Sequence, residues 1–185
     1  MRPLLTPYLH RRRIEIIKPC LKGNILDVGC GLANVAQYLD ENQHYVGIDV
    51  NERIIKELKE NYPDYDFYCC DVDKHMFIFD RKFDTIIIIA VIEHLKNPEN
   101  VLWQCKILLK DDVNLIITTP TPFGDKIHKI GAALGLTSKE AVEEHHKLYS
   151  YENMKSLLTS HGFKIYIFQK FELGMNQMFV CRKRY

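Results

Sequence analysis

The chain has 185 residues, of which 46% are hydrophobic and 26% are charged, and its 25 Lys and Arg nearly balance 24 Asp and Glu. This length suits one domain, and this composition is typical of globular proteins and excludes the disordered and fibrous classes. The net charge of +1 lacks the basic excess of most nucleic-acid binders, so we expect no nucleic-acid partner.

Membrane and disulfide-rich classes are also disfavoured. The longest apolar run, residues 85–92, is far shorter than the roughly 20 residues of a membrane span. No apolar segment of signal-peptide type follows the arginines at 11–13. The six cysteines form no CxxC pair, which argues against a zinc site and a disulfide framework. We therefore expect reduced thiols, no bound metal and a cytoplasmic location.

The predicted elements alternate between helices and strands along the chain. Apolar residues at helical spacing predict helices over 7–17, 51–61, 98–109 and 150–160, with a further helix opening near Asn34. Short apolar segments predict strands over 24–28, 45–50, 66–70, 83–90, 113–119, 163–171 and 177–182. The nearly continuous apolar strands indicate a parallel sheet covered on both faces. We expect a doubly wound α/β fold forming a single domain over residues 1–185.

Residues 120–149 interrupt this alternation between the fifth strand and the next helix. A connection in a compact α/β unit needs only about 2–6 residues, and ligands bind beyond the carboxyl ends of the strands. We therefore predict a lid or substrate-binding insertion, with helical pieces over 126–134 and 138–146. For the acids and histidines at 143–146, a metal site, a substrate pocket with Tyr149 and a solvated helix end are the alternatives.

A glycine-rich turn follows the first predicted strand in the string ILDVGCGLA, residues 25–33. Gly29 and Gly31 allow the backbone to turn sharply and to approach a ligand closely. Asp49 ends the second predicted strand and Asp71 follows the third, so both acids are expected at the same sheet edge. An acid placed like Asp49 accepts ribose hydroxyls in dinucleotide-binding folds, although it can also cap the following helix.

A nicotinamide-dependent oxidoreductase fits this turn poorly. Its fingerprint requires Gly or Ala three residues after Gly31, where this chain has Asn34. Asp27, which we place inside the turn, would also repel a pyrophosphate but would favour a cationic ligand. S-adenosylmethionine carries an adenosine, an ammonium and a sulfonium without any phosphate, and we expect it as the cofactor.

Several strings in order resemble the class I S-adenosylmethionine-dependent methyltransferases: ILDVGCG, GIDVN, CCDV, FDTIIIIAVIEHLKNPENVL, IITTP and HKLYSYENMKSLLTSHGF. Over roughly residues 20 to 185 the chain is most similar to the small-molecule group related to quinone-biosynthesis methyltransferases. The resemblance implies a Rossmann-like seven-stranded sheet in the order 3-2-1-4-5-7-6, with the last strand antiparallel and helices on both faces. One departure is Ala33, where the family often has a third glycine.

The resemblance also implies a role for each residue of the cofactor site. The cofactor-binding set comprises Asp27, Gly29, Cys30 and Gly31 at the methionine end, Asp49 at the ribose, Asn51 beside it, Val50, Cys70, Asp71 and Val72 around the adenine, and Ala90 and Val91 near the sulfonium.

Glu93 and His94 follow the fourth predicted strand and are the catalytic candidates. Methyl transfer requires a nucleophile aligned about 3 Å from the methyl group, and an oxygen or carbon nucleophile also benefits from a general base. Histidine accepts protons near neutral pH, so His94 is the candidate base, with Glu93 orienting it or contacting the cofactor. A structural role for the pair is the alternative.

We therefore predict an S-adenosylmethionine-dependent methyltransferase that acts on an oxygen, carbon or sulfur atom of a small molecule and releases S-adenosylhomocysteine. The asparagine-proline-proline-tyrosine signature of amino-group methylation is absent, and residues 119–122, TPTP, cannot substitute for its asparagine amide. The alternatives are a protein or RNA methyltransferase of the same fold and a non-catalytic partner subunit that binds the cofactor. For the arginines at 11–13, a solvated helix face and an anion-binding site are the alternatives. A homodimer is among the assemblies that we consider.

Overall fold

A computed structural model describes the backbone of residues 6–133 and 147–184, and the side chains of residues 11–127 and 147–184. The strands are β1 Ile25–Val28, β2 Tyr45–Asp49, β3 Asp66–Cys69, β4 Phe83–Ile89, β5 Leu109–Pro120, β6 Phe163–Phe171 and β7 Asn176–Lys183. The α-helices are α1 Thr6–Ile17, α2 Glu52–Asn61, α3 Pro98–Leu108, α4 Pro122–Ala133 and α5 Tyr151–Ser160. Short 3-10 helices cover Lys18–Cys20, Ala36–Tyr38 and Ile92–His94.

All seven predicted strands join one sheet in the order β3-β2-β1-β4-β5-β7-β6, which confirms the expected topology. β1 to β5 run parallel, while β7 lies antiparallel between β5 and β6. The carboxyl ends of β1 to β6 therefore meet at one edge of the sheet. The amino end of the reversed β7 lies at the same edge. In open α/β sheets this edge is where ligands bind.

Apolar side chains on both faces of the sheet explain why the central strands carry few polar residues. In β4, Ile86 and Ile88 point into a core shared with α3 and α5, whereas Ile87 points into a second core shared with α1 and α2. Successive side chains of a strand face opposite ways, so an unbroken isoleucine run fills both cores. Each of these side chains is fully buried, which contributes about 1.5–3 kcal/mol apiece.

Side-chain caps fix where the helices after β2 and before β6 begin. Asn51 Oδ1 accepts a hydrogen bond from the Ile54 amide at 3.2 Å, and Ser150 Oγ accepts one from the Asn153 amide at 3.2 Å. The Ser150 cap was expected from the sequence. The cap of α2 is Asn51 and not Asp49, which leaves the Asp49 carboxylate available for other contacts.

The helix predicted near Asn34 is wrong. Residues after the glycine turn form successive tight turns, with the Ala33, Ala36 and Tyr38 amides each bonded to the carbonyl three residues earlier. They end in the single 3-10 turn Ala36–Tyr38. Ala33 has a φ of 51°, which lies in the left-handed region and interrupts a right-handed helix at its start.

The predicted insertion is described only in part. α4 covers most of the predicted helical piece 126–134, although it begins earlier, at Pro122. The second piece, 138–146, and the acids and histidines at 143–146 lie outside the described residues. Of the helices in the described ranges, none has both the length and the apolar character needed to cross a membrane.

Candidate active site

The carboxyl edge brings the loops after β1, β2 and β3 into direct contact. The amides of Gly29 and Cys30 both donate to the Ile48 carbonyl of β2, at 2.8 and 2.9 Å. The Cys70 amide donates to the Asp49 carbonyl at 2.9 Å. These backbone bonds hold the three predicted cofactor-contacting loops side by side.

Asp49 connects the glycine loop to the start of α2. Its Oδ2 accepts a hydrogen bond from the Gly31 amide at 2.8 Å, and its Oδ1 accepts one from the Asn51 amide at 2.9 Å. A carboxylate oxygen has two acceptor sites, so each oxygen can still accept a further hydroxyl. The geometry thus gives Asp49 a structural task and leaves it able to bind a diol.

The two glycines of the loop serve different purposes. Gly29 has a φ of 77°, and a Cβ built on it would overlap Cγ2 of Val91. Gly31 has a φ of 51°, and a Cβ built on it would meet nothing within 4 Å. Gly29 therefore permits close packing against the loop after β4, whereas Gly31 borders open space at the predicted site.

Asp27 lies within β1 and not inside the turn, because the strand continues to Val28. The residue is 3% exposed, and its Oδ2 accepts a 2.6 Å hydrogen bond from the Tyr45 hydroxyl. Its Oδ1 is buried without a partner among the described residues. Burial raises the pKa of Asp27 to about 7 against the opposing effect of Tyr45, and the nearby Asp49 charge adds to the rise. A cationic neighbour would stabilise the ionised carboxylate.

The adenine side of the predicted site combines apolar and acidic groups. Val50 is 66% exposed at the end of β2, while Cys70 and Val72 are half-buried after β3. Asp71 binds Lys74 Nζ at 2.7 Å, and this hydrogen bond lowers the pKa of the Asp71 carboxyl. The apolar side chains provide a surface for a flat ring, next to an ionised acceptor.

The loop after β4 places Ala90 and Val91 beside the glycine loop. Ala90 has a φ of 52°, and its amide donates to the Thr118 carbonyl of β5 at 2.9 Å. Val91 occupies the space that Gly29 leaves free. The backbone between β4 and the following 3-10 helix is thereby fixed against both neighbouring loops.

Glu93 is the most deeply buried of the catalytic candidates, with 1% exposure. Its Oε2 accepts a hydrogen bond from Thr119 Oγ1 of β5 at 3.0 Å. Burial raises the pKa of the Glu93 carboxyl, while a backbone hydrogen bond and the charges of His94 and Arg13 oppose that rise. His94 follows on the same 3-10 helix and is half-buried. Of the two side chains, Glu93 is the more deeply buried, and Thr119 holds one of its carboxylate oxygens.

Two residues that contact side chains of this region were not identified from the sequence. Tyr45 is fully buried at the start of β2, and a buried tyrosine hydroxyl needs a partner, which Asp27 supplies. Asn176, the first residue of β7, accepts a hydrogen bond from Arg13 at 3.3 Å. Tyr45 stands two residues before Gly47, which pairs with Asp27 in the sheet. This spacing is the sequence signal that would have placed Tyr45 near Asp27.

A cavity of about 380 Å³ opens beside the carboxyl end of β5. It is bordered by α4, by the start of α5 and by the turn between β6 and β7, with Thr121, Phe123, Tyr151, Lys170, Leu173 and Gln177 among its walls. The Gln177 side chain is fixed in the cavity wall because its side-chain amide donates to the Tyr149 carbonyl at 2.6 Å. Ligand pockets for small molecules begin at about 300 Å³.

A metal site would require a group of at least three His, Cys, Asp or Glu side chains. The described part of the chain contains no such group.

Curated relatives match this chain over part of their length. "N-methyltransferase 4" of Papaver somniferum is 30% identical over 96 residues, which cover 48% of this chain and 27% of that protein. The human mitochondrial "Ubiquinone biosynthesis O-methyltransferase" is 27% identical over 189 residues, covering 89% of this chain and 49% of that protein. The chain spans about half or less of the length of these relatives.

Solved structures share the fold at low sequence identity. The plantazolicin methyltransferase BamL, in complex with a desmethylPZN analogue and SAH, superimposes with a TM-score of 0.74 at 18% identity, covering 95% of this chain and 88% of that one. Magnesium protoporphyrin IX methyltransferase of Synechocystis PCC 6803, with bound SAH, gives 0.71 at 15% identity, covering 94% and 83%. The profile of a family described as "Methyltransferase domain" matches residues 7–166. Since this match covers most of the chain, including the glycine loop, the acidic strand ends and the Glu93 region, the chain belongs to that methyltransferase family.

Proposed function

We propose that the protein transfers a methyl group from S-adenosylmethionine to an oxygen, carbon or sulfur atom of a small molecule. The observation that carries this proposal is the pairing of an open glycine loop with two acids of different character. Asp49 keeps free acceptor sites for a diol, and Asp27 has a buried oxygen without a partner among the described residues. A ligand with both a ribose and a positive charge satisfies both acids.

The residues at the carboxyl edge fit this cofactor part by part. Gly31 and the Asp27 carboxylate would hold the methionine end, Asp49 the ribose hydroxyls, and Val50, Cys70 and Val72 the adenine face, with Asp71 as an acceptor beside it. When bound, the cofactor supplies an electrophilic methyl group on its sulfonium. The orphaned oxygen of Asp27 supports this assignment, because a buried carboxylate without a partner is costly unless a positive charge offsets it.

Glu93 is the preferred proton acceptor, and His94 is the second candidate. Burial raises the pKa of the Glu93 carboxyl in the direction of neutral pH, and a general base is most effective when its pKa is near the operating pH. Thr119 fixes one carboxylate oxygen at 3.0 Å, so the carboxylate cannot rotate freely. Glu93 would therefore take the proton that an attacking hydroxyl, thiol or carbon acid releases.

Two further observations support a small, non-amine acceptor. The cavity of about 380 Å³ beside β5 suits a small molecule, and we assign this cavity and the insertion predicted over residues 120–149 to acceptor binding. The asparagine-proline-proline-tyrosine signature of amino-group methylation is absent, and the Thr119 hydroxyl donates to Glu93. The cavity supports a small molecule, and the absent signature favours an oxygen, sulfur or carbon nucleophile.

An acceptor screen with labelled S-adenosylmethionine tests the proposal. Phenols, thiols, carbon acids and amines are offered in parallel, each with the wild-type protein and with Glu93→Gln. We expect label in at least one non-amine pool, and loss of that label with Glu93→Gln. Transfer only to amines, or label that survives Glu93→Gln unchanged, would contradict the acceptor class or the base assignment respectively.

A further inference from the structure

One row of side chains crosses the last three strands of the sheet near its carboxyl edge. Lys170 of β6 pairs with Gln177 of β7, and Gln177 pairs in turn with Thr119 of β5. Residues that lie directly opposite each other in antiparallel strands present their side chains on the same face of the sheet. The row therefore leads from Lys170 to Thr119, whose hydroxyl donates to Glu93, the proposed base, at 3.0 Å.

Aromatic contacts show that this row lies on the face of the sheet that α5 covers. Phe168, two residues before Lys170, pairs with Phe179 of β7. Both rings contact the Tyr151 ring of α5, with centroid separations of 4.6 and 6.2 Å. Alternate residues of a strand share a face, so Lys170 and Gln177 lie on the same side as Tyr151. The cavity of about 380 Å³ is on this side, and all three of these residues border it.

The walls of this cavity combine apolar side chains with a single charge. Phe123 at the start of α4 and Leu173 in the turn between β6 and β7 are 57% and 96% exposed, although both side chains are large and apolar. Of the described residues that border the cavity, only Lys170 has a charged side chain. Exposed apolar surface next to a charged group is typical of a site for a small ligand.

The charge of Lys170 is available to a ligand. The side chain is exposed, and within residues 11–127 and 147–184 no carboxylate forms an ion pair with it. Glu172, the nearest acid in sequence, has its carboxylate bound to the Asn176 side-chain amide. Asn176 pairs with Phe171, whose side chain packs in the second core, on the opposite face of the sheet. Glu172 is thus directed away from the cavity and from Lys170.

Contacts with α4 hold the apolar rim of the cavity in place. Thr121 Oγ1 donates to the Gly174 carbonyl at 2.8 Å, and the Thr121 amide donates to the Met175 carbonyl at 2.8 Å. Gly124 lies so close to this turn that a Cβ built on it would overlap the Met175 carbonyl oxygen. The turn that carries Leu173 is therefore fixed by the fold, which lowers the cost of ordering it when a ligand binds.

We infer that the cavity beside β5 binds an apolar small molecule that carries an anionic group, and that Lys170 binds this group. Neighbouring strands lie about 4.8 Å apart, so the backbones of Lys170 and Thr119 are separated by about 10 Å. A small molecule in the cavity can therefore hold its anionic group at Lys170 and direct a nucleophile toward Glu93, beside Thr119. The inference rests on the proposed function where it identifies this molecule as the methyl acceptor.

Binding of two fluorescent probes tests the site without any methyl transfer. Anilinonaphthalene sulfonate has an apolar body and a sulfonate, whereas phenylnaphthylamine has the same body without the charge. We expect Lys170→Met to weaken binding of the sulfonate about tenfold, which is typical for the loss of a hydrogen bond to a charged group. The affinity for the neutral probe should stay the same, and Lys170→Arg should retain the affinity for the sulfonate.

Lys164→Met is the matched control for these measurements. Lys164 is exposed near the opposite end of β6, where its Nζ lies over the Tyr166 ring at 5.4 Å. Its substitution should leave the affinities for both probes unchanged. A sulfonate affinity of Lys170→Met equal to that of Lys164→Met overturns the inference. Thermal unfolding confirms that each variant is folded.

Paired acceptors extend the test to the reaction. Phenols and thiols that carry a carboxylate are each compared with the corresponding primary amide, with labelled S-adenosylmethionine as the donor. We expect the preferred acid to have a lower KM than its amide, and Lys170→Met to raise that KM about tenfold with kcat unchanged. Label in acceptors whose KM depends neither on the carboxylate nor on Lys170 overturns the inference while the proposed function stands. If no pool takes up label although the probes behave as expected, the proposed function fails while the anion site stands.

Discussion

The two halves of the carboxyl edge are built in contrasting ways. Over β1 to β3, backbone amides join the ends of neighbouring strands, as in the bond from the Gly31 amide to the Asp49 carboxylate, 18 residues away. Over β4 to β7, side chains meet from distant segments: Thr119 and Glu93 are 26 residues apart, and Arg13 and Asn176 are 163 apart. We call the loops after β1 to β3 the proposed cofactor half and the ends of β4 to β7 the proposed acceptor half. The first uses contacts between neighbouring strand ends, whereas the second depends on segments that the assembled fold brings together. We therefore expect substitutions in the acceptor half to change the acceptor and to leave cofactor binding intact.

The largest expected effect comes from removing the proposed base in the acceptor half. Glu93→Gln keeps the hydrogen bond with Thr119 possible but cannot accept a proton, so we expect turnover to fall about 10²–10⁴-fold. Calorimetry should show unchanged affinity for S-adenosylhomocysteine. Equal losses in turnover and in cofactor affinity would show that Glu93 contributes to cofactor binding, which would contradict its assignment to the acceptor half.

The next effect separates the two glycines of the cofactor half. Gly29→Ala forces a Cβ into Val91 at a φ of 77°, so we expect about 2–4 kcal/mol lower unfolding free energy, measured with urea. Gly31→Ala, at a φ of 51° with open space around it, should lose only about 1 kcal/mol of stability and yet weaken cofactor binding. Identical behaviour of the two variants would contradict the distinct purposes that we assign to them.

Asp49→Ala removes the acid that connects the loop to α2. We expect the affinity for S-adenosylhomocysteine to fall by about 1–3 kcal/mol, because ribose hydroxyls and the Gly31 amide lose their acceptor. Asp66→Ala is the matched control, since Asp66 begins β3 at the opposite edge and binds Arg81 and His44. A folded Asp49→Ala protein that binds like Asp66→Ala would remove Asp49 from the ribose site.

The smallest effect is a pH dependence of cofactor binding through Asp27. Burial raises the pKa of the unliganded carboxyl to about 7, and a cationic ligand favours its ionised form, so binding releases a proton below that pH. Affinity should therefore rise about tenfold from pH 6 to pH 8 and level off above. Asp27→Asn should abolish this dependence. A wild-type affinity that is flat across this range would show that the cofactor charge does not reach Asp27.

Local patterns predicted the strands and most of the helices, because these depend on interactions close in sequence, whereas the strand order and the roles proposed for the cofactor-site residues came from the family resemblance. The isoleucine run of β4, the Ser150 cap and the Gly29–Gly31 turn all follow from neighbouring residues. The helix near Asn34 failed because the left-handed conformation of Ala33 depends on how the turn packs. Asp27 was assigned to the turn although the predicted strand 24–28 already contained it, and the structure places it in that strand.

The acceptor half was harder to predict from the sequence. Nothing in a run of three arginines distinguishes Arg13 from Arg11, because the difference lies in a partner on β7. One contact of the cofactor half was also missed: the hydrogen bond between Tyr45 and Asp27 depends on the register of β1 and β2, which the sequence does not specify by itself.

Calorimetric titration with S-adenosylhomocysteine, with NADH as the control, tests the central claim most directly. The cofactor-half geometry predicts micromolar binding of S-adenosylhomocysteine, no binding of NADH, and weaker binding of the first by Asp49→Ala. Binding of NADH without binding of S-adenosylhomocysteine would contradict the assignment of the glycine loop, Asp27 and Asp49 to a methyl-donor site.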